Sequence, residues 1–320
     1  MKSKVKTVHL WIFNNPFVGV SDQIEFFVMA LREYGYDVTF GRHPRKTALN
    51  VIIENFDSHS YKIVKDFCET ENKKIAVIMT EHLDLINGKI LIHGSPLWSV
   101  NDYMAPETQI SRIRFLFDLF PYLKSLFTLG DLPKLENMSQ MLPEIDIRRI
   151  PFPKLNFLET DDSDTDLEGE LLFTGIATEF RQTILNTLKE NNFVTYYPEK
   201  MVSRSVRNAM NRKAKIIMNL PQRGNWQWLS LMRIFAGLYC GRASVSIATN
   251  DNSEISSCCY QLNINNPDWL DQLRHYIDNY KLYYEEAHSN YMAMAERFQQ
   301  ESPFPHDLFE IWSITDNLSS

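Results

Sequence analysis

Twice along this chain, short apolar runs alternate with amphipathic stretches, and that rhythm limits the fold more than any other feature. The first half carries "VHLWIF" (8–13), then "SDQIEFFVMALREYGYDVTF", "LNVIIENF" (49–56), "YKIVKDFCETENK" and "KIAVIMTEH" (74–82). Strands that alternate with helical patterns in this way predict βαβ units, and so a parallel sheet with helices on both faces. Ser21 or Asp22 is placed to cap the first helix, with Glu25 in capping-box register to Asp22, and Gly35 to end it. Farther on, "RFLFDLFPYLKSLFTLGDLPKLENMSQML" predicts a helix, a short strand at "SLFTL" and a helix after Pro133, and "IRRIPFP" (147–153) reads as the last strand of this half.

The second half repeats the rhythm. It runs from "ELLFTG" (170–175) through a helix from about Glu179 to Asn191, a strand near "FVTYY", the basic segment "SRSVRNAMNRKAK", "IIMNL" (216–220), an apolar helix after a Trp-rich loop, and "ASVSIA" (243–248). Between the halves, residues 159–170 hold seven acidic and no basic side chains, the composition of a solvated linker. The predicted organisation is an N-terminal Rossmann-like domain over 1–155, an acidic linker over 156–170, a C-terminal Rossmann-like domain over 171–300, and a tail, 301–320, free to return to the N-terminal domain. From Pro267 to Phe298 the spacing of Leu270, Leu273, Ile277, Tyr280, Tyr284, Ala287, Tyr291, Met294 and Phe298 predicts one long helix. Packing against a domain flank suits its tyrosines and alanine better than a coiled-coil homodimer, which is the alternative.

With 320 residues, two domains are the natural expectation. The net charge of −7 argues against a surface built for nucleic acid, although local basic patches stay compatible with it. Cys68, Cys240, Cys258 and Cys259 form no C-x-x-C pair, which fits a reducing cytoplasm and neither a zinc site nor a disulfide scaffold. No run approaches a membrane span, and peripheral membrane contact stays open.

In doubly wound sheets ligands bind beyond the carboxyl ends of the strands. The residues there are Asn14 and Asn15, Glu81 and His82, Gly175, Asn219 to Gly224, and Thr249 to Asp251. In "MTEHLD", Glu81 is the candidate general base and His82 a substrate-orienting group; a helix cap or a buried hydrogen-bonded pair is the competing reading. Asp22 is a second candidate base, with capping its stronger role. His93 in "LIHGSPLW" has no assigned place. No Asp-x-Asp cluster ends a strand, so the reading needs no metal.

The order of elements resembles glycosyltransferases of the GT-B fold, in which two Rossmann-like domains face a central cleft. "LLFTGIATEFRQTILNTLKENNF" looks like the strand, glycine turn and Arg-bearing helix that open the donor domain. "AKIIMNLPQRGNWQWLSLMRIFAGLYCGRASVSI" is similar to the "S-x-R-x-F-E-A-x-x-x-G" segment of the group related to spore-coat and spore-maturation glycosyltransferases. The resemblance implies transfer of a sugar from a nucleotide-sugar donor to a glycan, lipid-linked or small-molecule acceptor. It puts Gly175, Arg181, Asn219, Arg223, Trp226, Ser230 and Arg233 on the donor side. Ser230 would lie where a helix N-terminus favours an anion, and Arg233 one turn on, against a diphosphate; a snorkelling or ion-paired arginine is the plainer alternative. Trp226 and Trp228 have flat faces for a base or sugar, or else fasten the loop to the core. Ala236 stands where the pattern commonly has a ribose-binding glutamate. The competing functions are a nucleotide-sugar epimerase-like enzyme and a degenerate glycosyltransferase-like partner subunit.

Overall fold

The computed structural model describes residues 7–12, 17–53, 57–96, 106–135, 137–155 and 167–318. Asn14 and Asn15 lie outside them. The chain forms two compact units, one of Met1–Pro153 with Phe298–Ser320, the other of Lys154–Arg297.

In the first unit the order is β1 (Thr7–Trp11), α1 (Phe17–Glu33), β2 (Asp37–Gly41), β3 (Leu49–Ile53), α2 (Ser58–Glu71), β4 (Ile75–Ile78), β5 (Leu83–Ile86), β6 (Lys89–Ile92), β7 (Ser95–Pro96), α3 (Pro106–Asp118), β8 (Leu123–Leu129), α4 (Met138–Met141) and β9 (Ile147–Ile150). Six strands make a sheet in the order β2-β1-β3-β4-β8-β9, all parallel. Every residue of β3 and β4 is buried, as strands covered on both faces must be. β5, β6 and β7 form a separate antiparallel sheet, turned at Asn87 (φ 50°) and Gly88 (φ 73°).

The second unit runs β10 (Gly169–Leu172), α5 (Glu179–Glu190), β11 (Thr195–Tyr196), α6 (Arg204–Lys213), β12 (Ala214–Asn219), α7 (Leu231–Tyr239), β13 (Ser244–Ile247), β14 (Cys259–Leu262) and α8 (Trp269–Asp278). Its sheet is also fully parallel, in the order β11-β10-β12-β13-β14. Both sheets begin in the doubly wound 2-1-3-4-5 order, with a sixth strand added in the first, and their switch points lie between the first and third strands. The α/β, Rossmann-like character expected of both halves is present. α9 (Tyr280–Glu301) begins in the second unit and ends among residues grouped with the first, where α10 (His306–Leu318) follows.

Two local expectations are corrected. α1 starts at Phe17, so Ser21 and Asp22 lie inside the helix rather than at its cap, and Ser21 is buried. The apolar Phe17, Val18 and Val20 carry the helical pattern upstream of them. The long helix is two helices parted at Asn279, whose backbone N–H and side-chain amide both turn back to the His275 carbonyl. The seam residues Leu273, Ile277, Ala287, Tyr291, Met294 and Phe298 are buried within the chain itself.

α10 completes the first unit's core. Phe309 stacks on Phe127 of β8 (5.7 Å, 9°), Phe304 stacks on Tyr34 (4.6 Å), and Trp312 is fully buried. Among the described residues, no helix is long and apolar enough to cross a membrane.

Candidate functional site

The second unit's switch point lies past the carboxyl ends of β10 and β12, and an aromatic side chain organises it. Phe173 is fully buried, with the Tyr197 ring stacked on it at 5.8 Å and the guanidinium carbons of Arg181 and Arg233 at 5.1 and 5.3 Å from its centroid. Arg181, on α5, is itself buried. Its Nε and Nη2 donate to the Leu220 carbonyl (3.0 and 2.7 Å) and its Nη1 to the Ile176 carbonyl (2.9 Å). Thr178 Oγ1 donates to the Gln222 carbonyl (2.7 Å), and the Ala177 N–H donates to the Tyr197 hydroxyl (3.1 Å). The loops after β10 and β12 are thus tied together. Arg181, expected against donor phosphates, is the tie, because buried carbonyls must be satisfied and it supplies the donors.

Arg233 is held differently. Its Nη1 donates to Asn219 Oδ1 (3.0 Å) at the end of β12, and Asn219 Nδ2 donates to Ser246 Oγ (2.8 Å). Ser246 Oγ in turn donates to the Asn219 carbonyl (3.1 Å) and accepts from Thr249 Oγ1 (2.8 Å). This buried chain fixes the guanidinium through the Asn219 amide. Gly175 leaves the room: a Cβ there would lie 2.4 Å from Phe173 Cζ and 3.2 Å from Arg233 Nη2. Ser230 is the N-cap of α7, and its side chain makes no capping bond. Ahead of the helix, the buried Asp251 carboxylate accepts from the N–H groups of Leu229 (2.8 Å) and Ser253 (2.6 Å), which fixes the loop entry. Ala248, just past β13, has φ 65°, a strained conformation for a residue with a Cβ.

Of the two readings of Trp226, a stacking face or a fastener of the loop, its surroundings fit the fastener. Trp226 is buried, and the Arg223 guanidinium lies 5.1 Å from its ring centroid, so the pair fastens the loop. Ala236 is buried on α7.

In the first unit, the turn after β4 carries a compact charged group. Glu81 Oε2 bonds His93 Nε2 (2.8 Å), its Oε1 accepts from Arg112 Nη1 (3.1 Å), and Arg112 Nη2 reaches Thr80 Oγ1 (3.5 Å). Burial opposes ionisation of Glu81, but the His93 hydrogen bond and the Arg112 charge outweigh it and lower the carboxyl to about 2. A carboxylate held this firmly is a weak proton acceptor, so the geometry favours the hydrogen-bonded pair of the competing reading over a general base. His82 is buried with Nδ1 accepting the Lys134 N–H (2.9 Å); burial, then repulsion from His93, lower it to about 3. In its neutral form it joins the β4 turn to the segment after β8. Asp22 lies in α1.

Sequence reasoning missed His93 and Arg112 as members of the group. Arg112 comes from α3, far along the chain from Glu81, and nothing local announces that meeting. His93 had a findable signal, since "LDLINGKILIHG" is an Asn-Gly hairpin that returns its second strand beside the first. Among the described residues, no group of three or more His, Cys, Asp or Glu is placed to hold a metal ion.

No family model and no curated protein matches the chain. Among solved structures it is similar to an α-glucosyltransferase in complex with UDP and a 13-mer DNA containing an HMU base (11% identity, TM-score 0.46, 97% of this chain and 100% of that one). It is also similar to T4 phage BGT in complex with its UDP-glucose substrate (10%, 0.47, 98% and 99%) and to sucrose-phosphate synthase from Thermosynechococcus elongatus (9%, 0.48, 98% and 99%).

Proposed function

We propose that the protein is a glycosyltransferase that takes a sugar from a nucleotide-sugar donor, with the second unit as the donor-binding unit. The observation that carries this is Arg233, held by the Asn219–Ser246–Thr249 chain at the switch point of a parallel sheet, beside the N-terminus of α7. A preset guanidinium and a helix N-terminus together suit a diphosphate, the part common to nucleotide-sugar donors. On this reading Arg233 and Ser230 face the donor diphosphate and Gly175 keeps the approach open. Asn219, Arg181, Arg223 and Trp226 position the loops. The likeness of the α7 segment to the spore-coat and spore-maturation group belongs to this reading.

Transfer to a hydroxyl needs a proton acceptor. The proposal gives that task to the Glu81–His93 pair: the Arg112-held carboxylate fixes the ring through Nε2, and the other ring nitrogen, Nδ1, which the fold buries, must be reached by the acceptor to take the proton. The four cysteines are all free and buried, which supports a cytoplasmic setting.

The test is a thermal-shift panel with UDP, GDP, CDP, CMP, ADP and dTDP on the wild type and on Arg233→Ala. A ligand that binds only the folded state raises its melting temperature. One nucleotide that shifts the wild type and not the variant supports the donor site. An unshifted wild type with every nucleotide, confirmed by calorimetry, sinks the proposal.

A further inference from the structure

The segment after β2, "GRHPRK" (41–46), places Arg42, His43, Arg45 and Lys46 within five positions of a chain whose net charge is −7. All four are exposed. Exposed basic loops are ordinarily just solvated. This one differs in how its main chain is held.

Donors from neighbouring elements grip its carbonyls in succession. The Ile12 N–H donates to the Gly41 carbonyl (2.9 Å), Trp11 Nε1 to that of Arg42 (2.8 Å), His9 Nε2 to that of His43 (2.9 Å) and Asn50 Nδ2 to that of Arg45 (2.8 Å). Asn50 Oδ1 also accepts the Arg45 N–H (2.8 Å), and Lys73 Nζ holds the Lys46 carbonyl (2.6 Å). His9, Trp11 and Asn50 are almost completely buried. His9 also bonds Thr39 Oγ1 through Nδ1 (2.9 Å), so both of its nitrogens are engaged in the neutral form. Pro44 stiffens the segment further. Among the described residues, the one ion pair of the loop is Lys46 with Glu71; Arg42 and Arg45 make none.

The loop follows the carboxyl end of a parallel strand, the edge of such a sheet where ligands bind. Its main chain is already held before any ligand arrives, which lowers the entropic cost of binding there. Two arginines offer planar forks suited to phosphate oxygens. We infer that the Arg42–Lys46 loop is a second phosphate-binding site, separate from the donor site, and that it receives a phosphate or diphosphate group borne by the acceptor. The word acceptor rests on the proposed glycosyl transfer; phosphate binding by the loop does not, and it is measured without a donor.

The experiment titrates inorganic pyrophosphate into the full-length protein by calorimetry. The forms compared are Arg233→Ala, which removes the donor-site contact, and Arg233→Ala with Arg42→Gln and Arg45→Gln. Since Arg42 and Arg45 are exposed, the added changes should leave the melting temperature in place. The site predicts that Arg233→Ala still binds pyrophosphate, that binding weakens as salt rises, and that the two added substitutions weaken it at least tenfold. Unchanged binding on loop neutralisation, or no pyrophosphate binding by Arg233→Ala, overturns the site. Equal binding of succinate, a dianion without phosphate, overturns its phosphate character, and stronger binding of duplex DNA overturns it in favour of a nucleic-acid backbone. Phosphatidylcholine vesicles doped with phosphatidic acid distinguish the source. Loop-dependent vesicle binding points to a lipid-borne phosphate, and pyrophosphate binding without vesicle binding points to a soluble one. A wild type that binds pyrophosphate at the loop yet no nucleotide anywhere would separate failure of the donor proposal from failure of this one.

Discussion

Asn219 Oδ1 accepts a hydrogen bond from Arg233 Nη1 at 3.0 Å while the same amide donates to Ser246 Oγ at 2.8 Å. One buried side chain thus joins β12, β13 and α7 at the point where the second sheet reverses its strand order. If the guanidinium contacts a diphosphate, Arg233→Ala should weaken nucleotide binding by about 2 kcal/mol, some thirtyfold, as for a charged hydrogen bond. Asn219→Ala keeps the charge and loses its anchor, so a smaller loss, about three- to tenfold, is expected, together with a lower melting temperature from the disrupted Ser246 chain. Calorimetric titration of the nucleotide found in the thermal panel checks both. Equal losses in the two variants would show that Asn219 does more than position the arginine.

Gly175→Ala tests the packing of that site. The added methyl meets the Phe173 ring at 2.4 Å, so the ring or the loop must shift, and Arg233 shifts with it. Donor affinity should fall about tenfold, that is, by about 1.4 kcal/mol, while far-ultraviolet circular dichroism stays unchanged. Unaltered affinity would show that the contact yields without cost.

The buried imidazole of His82 makes the first unit sensitive to acid. Its folded value, lowered to about 3, lies well below the ordinary 6.5. The unfolded chain takes up a proton that the folded chain refuses, so stability is complete above pH 6.5 and declines as pH falls from there toward 3. The slope is at most about 1.4 kcal/mol per pH unit. His82→Asn keeps an acceptor for the Lys134 N–H and should flatten this decline in urea unfolding between pH 7 and 4. Glu81, lowered to about 2 from 4.5, adds a second loss only as pH falls below 4.5, and Glu81→Gln should remove that limb alone.

Much of the fold could be read directly because parallel strands covered on both faces announce themselves as unbroken apolar runs. "LNVII" is such a run, and all five of its residues are buried in β3. The readings that failed depended on information that local pattern does not contain. α1 begins ahead of its best capping residues, since Phe17 and Val20 extend the same helical pattern. The seam that reads as one helix breaks at Asn279, where a polar side chain competes for the carbonyl four residues back. β14, "CYQL", is short and half polar, and only the neighbouring β13 makes it a strand. At the candidate sites, residue type was a fair guide to position and a poor guide to partner. Arg181 and His82 carry groups suited to chemistry, yet each turns inward to a main-chain atom across the chain.

His93→Gln separates proton transfer from binding. If the imidazole takes the acceptor proton, kcat should fall by about 10² to 10⁴ with the nucleotide dissociation constant unchanged. Glu81→Gln should cost less than this, because the ring keeps its nitrogen and loses only its charged neighbour. Full activity in His93→Gln would remove the pair from the reaction.

The first unit should depend on α10. Trp312→Ala removes a fully buried indole and should cost about 3–5 kcal/mol in the unfolding of that unit. A chain ended after Glu301 loses Phe304, Phe309 and Trp312 together and should show calorimetric weakening of the first unit with the transition of the second retained. A single unchanged transition would contradict this.

The discontinuous first unit also sets an order of events during translation. The residues that finish its core leave the ribosome only after the whole of the second unit has been made, roughly ten to thirty seconds later at typical elongation rates. For that interval the side of the β8 ring that Phe309 will cover waits uncapped, while the second unit, continuous in sequence, has all it needs to fold. The half synthesised first is therefore the half completed last, and a nascent chain stalled between Arg297 and Phe309 would expose an unfinished apolar face to chaperones.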